Sequence, residues 1–216
     1  MSSTPRSLLS SRRMTAQERR AQLLAVTKTM VGSDGFHSVT IEAVARAAGV
    51  SRPVVYEHFG DLEGLLDALV DLLSCTALAQ LAAVLPTDLG RDGPRRALLA
   101  ALRGYLEVAK ADPVTWSLVL MPSAGVPESA RERIALGRSQ VVAHLATAVA
   151  PAVLGGRLLP DPELTARLIV TTADELVRLV LTQPQEFPVE RVLAHADWLL
   201  ERLEAHAEAP WPAVVG

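Results

Sequence analysis

The sequence predicts an all-α protein of about nine helices, and three observations carry this prediction. Hydrophobic residues make up 50% of the 216 residues, which is enough for a sizeable core. Alanine and leucine, both strong helix formers, dominate that hydrophobic fraction, while only 4% of residues are aromatic. Strand signals are almost absent, because no Asn-Gly hairpin and no alternating run bounded by turns occurs.

The first predicted helix begins at a capping box formed by Thr15 and Glu18. A Gly-Ser-Asp-Gly run at 32–35 ends it, since glycine and aspartate favour turns over helices. Apolar residues recur between these two points at helical spacing. The buried stripe is predicted to comprise Leu23, Val26, Thr27 and Met30.

The second and third helices are joined by a tight turn. Gly49 falls where a left-handed residue is wanted, Ser51 can cap the third helix, and Pro53 lies in its first turn. This arrangement predicts a helix-turn-helix, in which one helix braces and the next is presented to the DNA major groove. The second helix is predicted to bury Ile41, Val44, Ala45 and Ala48.

Six further helices are predicted, with Asp61, Asp112 and Asp161 as N-caps of three of them. Gly- and Pro-containing breaks separate several of them, and the break at 151–160 is the longest without a predicted element. Between Leu176 and Leu181 the eighth helix is apolar nearly all round, which predicts burial on more than one side. The predicted ranges are 62–85, 95–111, 113–120, 128–149, 162 to the turn at 184, and 189–206.

Charge is distributed unevenly along the chain. Residues 1–60 hold eight Lys/Arg against four Asp/Glu, a net charge of +4, whereas residues 61–216 hold thirteen against twenty, a net charge of −7. A basic head on an acidic body is typical of a DNA-binding module attached to another domain.

Residues 40–66 resemble the DNA-binding domain of TetR-family transcriptional regulators. At Leu62 the chain departs from that family's pattern, which has a phosphate-contacting lysine there. The positions that match are Thr40, Ile41, Ala45, Ala48, Gly49, Val50, Ser51, Tyr56, His58, Phe59, Asp61, Leu65 and Leu66.

The resemblance implies an N-terminal three-helix DNA-binding domain and a C-terminal helical ligand-binding and dimerisation domain. We predict that residues 15–62 form the first and residues 63–207 the second. Residues 1–14 are predicted to be a flexible basic arm that either reaches the DNA through Arg12 and Arg13 or only aids solubility. Residues 208–216 are predicted to be a loose tail.

By the same resemblance, the outward face of the third helix reads DNA. Arg52 is expected to donate two hydrogen bonds to guanine, and the next two residues to pack on a thymine methyl. Glu57 either accepts from cytosine or is a solvated charge, and His58 is either a phosphate contact beside Tyr56 or a packed histidine. The predicted DNA-binding residues are Thr40, Ser51, Arg52, Pro53, Val54, Tyr56, Glu57 and His58.

The resemblance also implies an effector pocket within the fourth to eighth helices and a homodimer interface on the eighth and ninth. Such a pocket is apolar with few polar anchors, and each residue predicted to line it has an ordinary core position as its alternative. The predicted ligand-binding residues are Tyr105, Trp116, Leu120, Met121, Val142, His144, Leu145 and Thr171. The predicted interface residues are Leu176, Leu179, Val180, Val192, Ala196, Leu199 and Leu203.

Metal-binding and catalytic patterns are weak. The five histidines show no ligand spacing, and the single cysteine, Cys75, is interpreted as a buried small apolar residue. Asp174 and Glu175 are interpreted as part of a solvated helix face, and no phosphate loop or nucleophile motif occurs. We therefore expect no metal, no cofactor and no enzymatic activity.

Together these patterns predict a cytoplasmic, homodimeric transcriptional regulator that binds a palindromic double-stranded DNA operator. It is predicted to be a repressor released by a small apolar or amphipathic ligand. No signal peptide is evident, and the longest uncharged run, 139–156, is a poor membrane span because Pro and Gly interrupt it. Two alternatives stay open, namely a helical sensor that has lost DNA binding, which Leu62 favours, and a helical enzyme, which no motif favours.

Overall fold

A computed structural model describes residues 14–89, 93–122, 126, 128–154 and 157–206. The chain divides into two compact units, Met1–Ala68 and Leu69–Gly216. Nearly all of the predicted basic arm and the whole of the predicted tail lie outside the described residues.

The first unit contains three complete helices and a 3₁₀ turn around a small core. Helix α1 spans Ala16–Asp34, a 3₁₀ turn spans Phe36–Ser38, α2 spans Ile41–Ala48 and α3 spans Arg52–Phe59. The predicted capping box is confirmed, because Thr15 Oγ1 accepts the Glu18 N–H at 3.2 Å and Glu18 Oε2 accepts the Thr15 N–H at 2.7 Å.

The core of this unit follows the predicted helical periodicity. On α1, Leu23 and Thr27 are fully buried, and the Thr27 hydroxyl is satisfied by the Leu23 carbonyl at 2.8 Å. The other two residues of the predicted stripe, Val26 and Met30, are half-buried, and Leu24 is buried in addition. All four residues predicted for α2 are buried: Ile41, Val44, Ala45 and Ala48.

The turn between α2 and α3 has the predicted geometry at one residue and differs at another. Gly49 adopts φ 67° and ψ 35°, a left-handed conformation that a glycine reaches without strain. Ser51 occupies the N-cap position, but its side chain makes no capping hydrogen bond. The reason is local, since Pro53 has no N–H and the Val54 N–H bonds the Ser51 carbonyl at 3.1 Å.

The remaining helices all occur close to their predicted ranges, which gives nine α-helices in the described part of the chain. Aspartate caps are observed where expected, with Asp61 accepting the Gly64 N–H at 2.8 Å and Asp161 accepting the Leu164 N–H at 2.9 Å. The all-α class is confirmed. The helices are α4 Leu62–Val84, α5 Pro94–Ala111, α6 Pro113–Leu120, α7 Glu128–Val149, α8 Pro162–Thr182 and α9 Val189–His206.

One small β-element interrupts the helices. Val153–Leu154 and Arg157–Leu158 pair as a two-stranded antiparallel hairpin, with Val153 opposite Leu158. It lies in the break for which no element was predicted, and strands of two residues are too short to show an alternating pattern.

The second unit buries two hydrophobic clusters, and α8 contributes to both. Its Ala166 and Val170 belong to the cluster built mainly on α7, whereas its Val177 and Val180 belong to the cluster built on α4, α5, α6 and α9. From Leu176 to Leu181, Val177 and Val180 are buried and the other four residues are half-buried, so the prediction of burial on more than one side agrees with the packing. Two other expectations do not, because Cys75 is exposed and Asp174 is buried.

Helix α4 is the one described helix long and apolar enough to cross a membrane on length and composition alone. Its hydropathy has a simpler origin in this fold, since Leu65, Leu69, Leu73 and Leu81 are buried inside the protein. Such an interior helix needs the same composition as a membrane span.

Candidate nucleic-acid interface and internal cavity

Helix α3 presents one face to solvent and anchors the other. Val55 is fully buried beneath it, while Arg52, Pro53 and Glu57 are exposed and Tyr56 retains 48% of its surface. The helix packs against α2, and α2 packs against α1. The packing of α3 on α2 holds the outward side chains on a fixed backbone, as a DNA recognition helix requires.

Arg20 ties α1 to the end of α3. Its Nη1 donates to the His58 carbonyl at 2.8 Å, and its guanidinium lies 4.4 Å from the centroid of the Phe59 ring. The hydrogen bond satisfies a carbonyl of the last helical turn, and the ring contact adds a cation–π attraction. Sequence reasoning missed Arg20, because the residues it contacts lie 38 and 39 positions away.

Arg52, which is predicted to contact a guanine base, forms a salt bridge with Glu42 of the same unit. Its Nη1 donates to Glu42 Oε1 of α2 at 2.9 Å, and both side chains are more than half exposed. The hydrogen bond from Arg52 is the main cause that lowers the pKa of the Glu42 carboxyl below its usual value. A guanidinium carries five N–H donors, so one bond to Glu42 leaves donors for a base edge.

The other predicted DNA-binding residues surround α3 on the same unit. Thr40 is exposed while its Oγ1 accepts the Ala43 N–H at 3.1 Å, which leaves its hydroxyl hydrogen for a phosphate. Ser51 is exposed, and Val54 and His58 are half-buried. The His58 ring is tilted against Phe59 at 6.2 Å, so it combines a packing contact with partial exposure. Leu62, at the family's lysine position, is half-buried.

The second unit contains a partly open cavity of about 60 Å³ between α4, α6, α7 and α8. Most of its wall is apolar, including Leu78 of α4, Val119 of α6 and Ile134 of α7. The close approach of α7 to α4 depends on Gly137, since a Cβ there would lie 3.2 Å from the Leu78 Cδ1. The charged residues that line the cavity are Arg133, Arg138 and Asp174.

Asp174 is a buried polar residue of this cavity, with 6% of its surface exposed. Its Oδ1 accepts from the Tyr105 hydroxyl at 2.9 Å, and its Oδ2 lies 2.5 Å from Arg138 Nη1. Burial raises the pKa of the Asp174 carboxyl, against the opposing effects of Arg138 and of Tyr105. Burial also raises the pKa of the Tyr105 hydroxyl, so this group remains a donor.

Comparison with known proteins identifies the first unit. Residues 23–69, which contain most of α1, all of α2 and α3 and the start of α4, match the tetR family of bacterial regulatory proteins. The first unit therefore carries a tetR-family domain. The regulatory protein BetI of Pectobacterium atrosepticum is 32% identical over 102 residues. That alignment covers 45% of this chain and 51% of BetI, so the chain spans about half the length of this relative.

Solved structures of TetR-like proteins share the fold over nearly the whole chain. A TetR-like transcriptional regulator from Rhodococcus sp. RHA1 superposes with a TM-score of 0.67 at 21% identity, covering 90% of this chain and all of that one. The regulator FadR from Bacillus subtilis, solved with stearoyl-CoA, superposes with a TM-score of 0.62 at 16% identity, covering 86% and 97%. The helical second unit is therefore typical of TetR-family architecture.

The predicted ligand-binding residues separate into three groups in the structure. Trp116 and Leu120 line the cavity, and Tyr105 reaches it through Asp174, while Met121 is half-buried. Val142 and Leu145 instead belong to the second hydrophobic cluster, so core packing explains them. His144 and Thr171 are exposed, and His144 lies 3.2 Å from the Pro86 carbonyl oxygen.

The predicted dimer-interface residues divide between surface and core. Leu199 and Leu203 are exposed, whereas Leu176, Leu179 and Ala196 are half-buried. Val180 and Val192 are buried within this chain's own core, so they have no surface to offer a partner. The turn between α8 and α9 explains this, because it folds those two helices so that both valines face inward.

Sequence reasoning missed Asp174, a polar residue of the cavity, and Gln80, a polar partner of the cavity residue Trp116. The sequence predicts a solvated Asp174, yet it is buried, while the neighbouring Glu175 is exposed as expected. Gln80, whose Oε1 accepts from Trp116 Nε1 at 2.9 Å, gave no signal at all. A cue existed for Asp174 alone, because it falls four residues after Val170 and three before Val177 on the buried stripe of α8.

Proposed function

We propose that the protein is a sequence-specific DNA-binding transcriptional regulator, acting in the cytoplasm as a repressor. The observation that carries this proposal is the outward face of α3. Arg52, Tyr56 and Glu57 are exposed together on a helix whose opposite side is anchored by the buried Val55. An exposed, braced helix with an arginine near its N-terminus suits reading of the major groove.

The proposed DNA contacts are of two kinds. Arg52 reads a guanine, and Pro53 and Val54 pack on a neighbouring base. Thr40 and Tyr56 bind phosphate oxygens, which position the helix without specifying sequence. Ser51, Glu57 and His58 complete the predicted contact surface.

We propose that the protein acts as a homodimer on a palindromic operator. Apolar side chains exposed on α8 and α9 support this, because a monomer leaves few such patches in water. On α9, Trp198, Leu199 and Leu203 lie near one another in the sequence and are each at least 43% exposed. On α8, Leu164 and Leu168 are exposed one turn apart. A dimer holds its two recognition helices at a separation that matches DNA half-sites about 34–36 Å apart.

A small apolar or amphipathic ligand in the cavity is proposed to control DNA binding. The apolar wall with a few polar groups supports such a site, and the related fold of FadR from Bacillus subtilis was solved with stearoyl-CoA. To act as an effector, the ligand must bind the state that is not competent for DNA more tightly than the competent state.

The test is selection of genomic fragments by the purified protein, followed by gel-shift titration of the enriched sequence. We expect an inverted repeat and saturable binding that Arg52→Ala weakens. Arg131→Ala removes the same charge from an exposed ion pair in the second unit and serves as the control. Failure to enrich any sequence would leave the alternative of a helical sensor without DNA binding.

A further inference from the structure

The cavity carries one buried carboxylate whose hydrogen-bonding capacity is only partly used. Among the described residues, Asp174 receives one contact on each oxygen, from the Tyr105 hydroxyl and from Arg138 Nη1. A carboxylate offers about four acceptor positions, so two interactions leave room for a further donor. Nearby, the Ser74 hydroxyl oxygen also lines the cavity region, is buried and has no hydrogen-bond partner among the described residues.

Each charged residue that lines the cavity already has a partner of opposite charge. Arg133 Nε lies 2.5 Å from Asp71 Oδ1, and Arg138 Nη1 lies 2.5 Å from Asp174 Oδ2. A charged ligand must therefore exchange with one member of a pair, and the sign of its charge decides which member is displaced.

The two side chains of the Asp174–Arg138 ion pair differ in how easily each can move out of the pair into solvent. The Arg138 side chain is 45% exposed and can turn into water, whereas the Asp174 side chain is only 9% exposed. An anion bound to Arg138 would take away the ion-pair partner of the buried carboxylate and place a second negative charge beside it. A cation bound to Asp174 only returns Arg138 to solvent.

An aromatic wall adds a second attraction for a cation. Trp116, 1% exposed, lines the cavity, and its ring packs against Tyr105 with a centroid distance of 4.8 Å. Tryptophan is the aromatic side chain that attracts cations most strongly. The volume of about 60 Å³ is several times the ~10–15 Å³ that one water needs, so it suits a compact head group with few carbons.

We propose that this cavity binds a compact organic cation, whose charged group takes the place of Arg138 on Asp174 while its carbon atoms pack against Trp116. The proposal rests on the effector site proposed above and narrows its ligand to one chemical class. Because Arg138 lies on α7 and Asp174 on α8, binding would also break an ion pair between two helices that pack along each other.

The test compares three probes with the same ring, namely cyclohexylammonium, cyclohexanol and cyclohexanecarboxylate. Fluorescence of the full-length protein is recorded with Trp198→Phe and Trp211→Phe, so that Trp116 is the reporter. We expect saturable quenching by the ammonium at least tenfold tighter than by the alcohol, with the carboxylate weakest. Equal or tighter binding of the carboxylate, or no saturable binding of any probe, overturns the proposal.

Two substitutions separate a cation site from a structural ion pair. Asp174→Asn should weaken the ammonium at least tenfold and change alcohol binding less than threefold. Arg138→Gln removes the competing guanidinium and should tighten the ammonium several-fold, whereas a purely structural pair predicts weaker binding. Arg131→Gln, which removes an exposed α7 arginine paired with Glu128, should change neither.

Gel shifts without ligand keep this result distinct from the proposed regulation. Ammonium binding that depends on Asp174, in a protein that binds no DNA, supports the cation site and contradicts the regulator. Operator binding without any ammonium binding supports the regulator and contradicts the cation site.

Discussion

Tyr105 and Asp174 lie 69 positions apart in the chain, and their side chains meet through a buried hydrogen bond of 2.9 Å. The tyrosine hydroxyl donates, and the carboxylate that accepts also faces Arg138. Removing either partner leaves a buried polar group less well satisfied, so the pair links the stability of the second unit to the protonation of Asp174.

Tyr105→Phe is expected to destabilise the protein, because Asp174 Oδ1 loses its donor inside the core. The expected loss is about 1–3 kcal/mol in the free energy of unfolding. Urea denaturation followed by circular dichroism measures it. A loss of the same size in the Asp174→Asn background would contradict this origin, since the charged acceptor is then already absent.

Stability is expected to depend on pH through Asp174. Burial raises the pKa of this carboxyl above its usual value of 3.8, so its contribution favours folding below that value and declines as pH rises through the raised pKa. Arg138→Gln should raise the pKa further, and the melting temperature of this variant should fall more steeply than the parent's as pH rises above about 4. Thermal melts from pH 4 to 8, with Arg131→Gln as control, test the sign. A difference that shrinks with rising pH would contradict it.

Arg52→Ala is expected to reduce specific DNA binding by about 1–3 kcal/mol and to relax base preference at one position in each half-site. Tyr56→Phe should instead weaken binding to all sequences by a similar factor, because it removes a phosphate contact. Gel shifts against a panel of single-base operator variants distinguish the two patterns. If the Arg52→Ala variant keeps the parent's base preference, the recognition helix is not α3.

Glu42→Gln is expected to strengthen binding to unrelated DNA several-fold, since it removes a negative charge beside the phosphates and frees Arg52 from its partner. Specific binding should gain less, so the ratio between the two should fall. Fluorescence anisotropy on operator and scrambled duplexes measures both affinities. An unchanged ratio would show that the ion pair plays no part in discrimination.

Leu199→Glu and Leu203→Glu are each expected to dissociate the dimer, because both side chains are exposed on α9. Leu136→Glu provides the control, since Leu136 is also exposed but lies on α7, outside the proposed interface. Light scattering at micromolar concentration reports the mass. A monomeric parent protein would remove the basis for a palindromic operator.

Features that depend on residues close together in the sequence were predictable, whereas contacts between residues far apart in the sequence were not. The caps at Asp61, Asp112 and Asp161 each involve residues three positions apart, so the sequence alone specifies them. The core stripe of α2 follows from its spacing for the same reason. These signals placed nearly every helix within one or two residues.

Contacts between distant segments determined what the sequence could not. Cys75 lies in an apolar run, but it shares an exposed face of α4 with Leu72, three residues earlier. Val180 and Val192 were predicted to contact a second subunit, but the turn between α8 and α9 directs both side chains into the core. The burial of Asp174 could not be predicted because its partners, Tyr105 and Arg138, lie on other helices.

The pairing of Arg52 with Glu42 has a consequence for how such a protein finds its operator in a genome. Unrelated DNA outnumbers true sites by about a million to a billion, and it is bound chiefly through released counterions. An arginine whose charge is already balanced releases few counterions on unrelated DNA, yet keeps its donors for a guanine. The pair therefore lowers the time spent on decoy sequences more than it lowers occupancy of the operator.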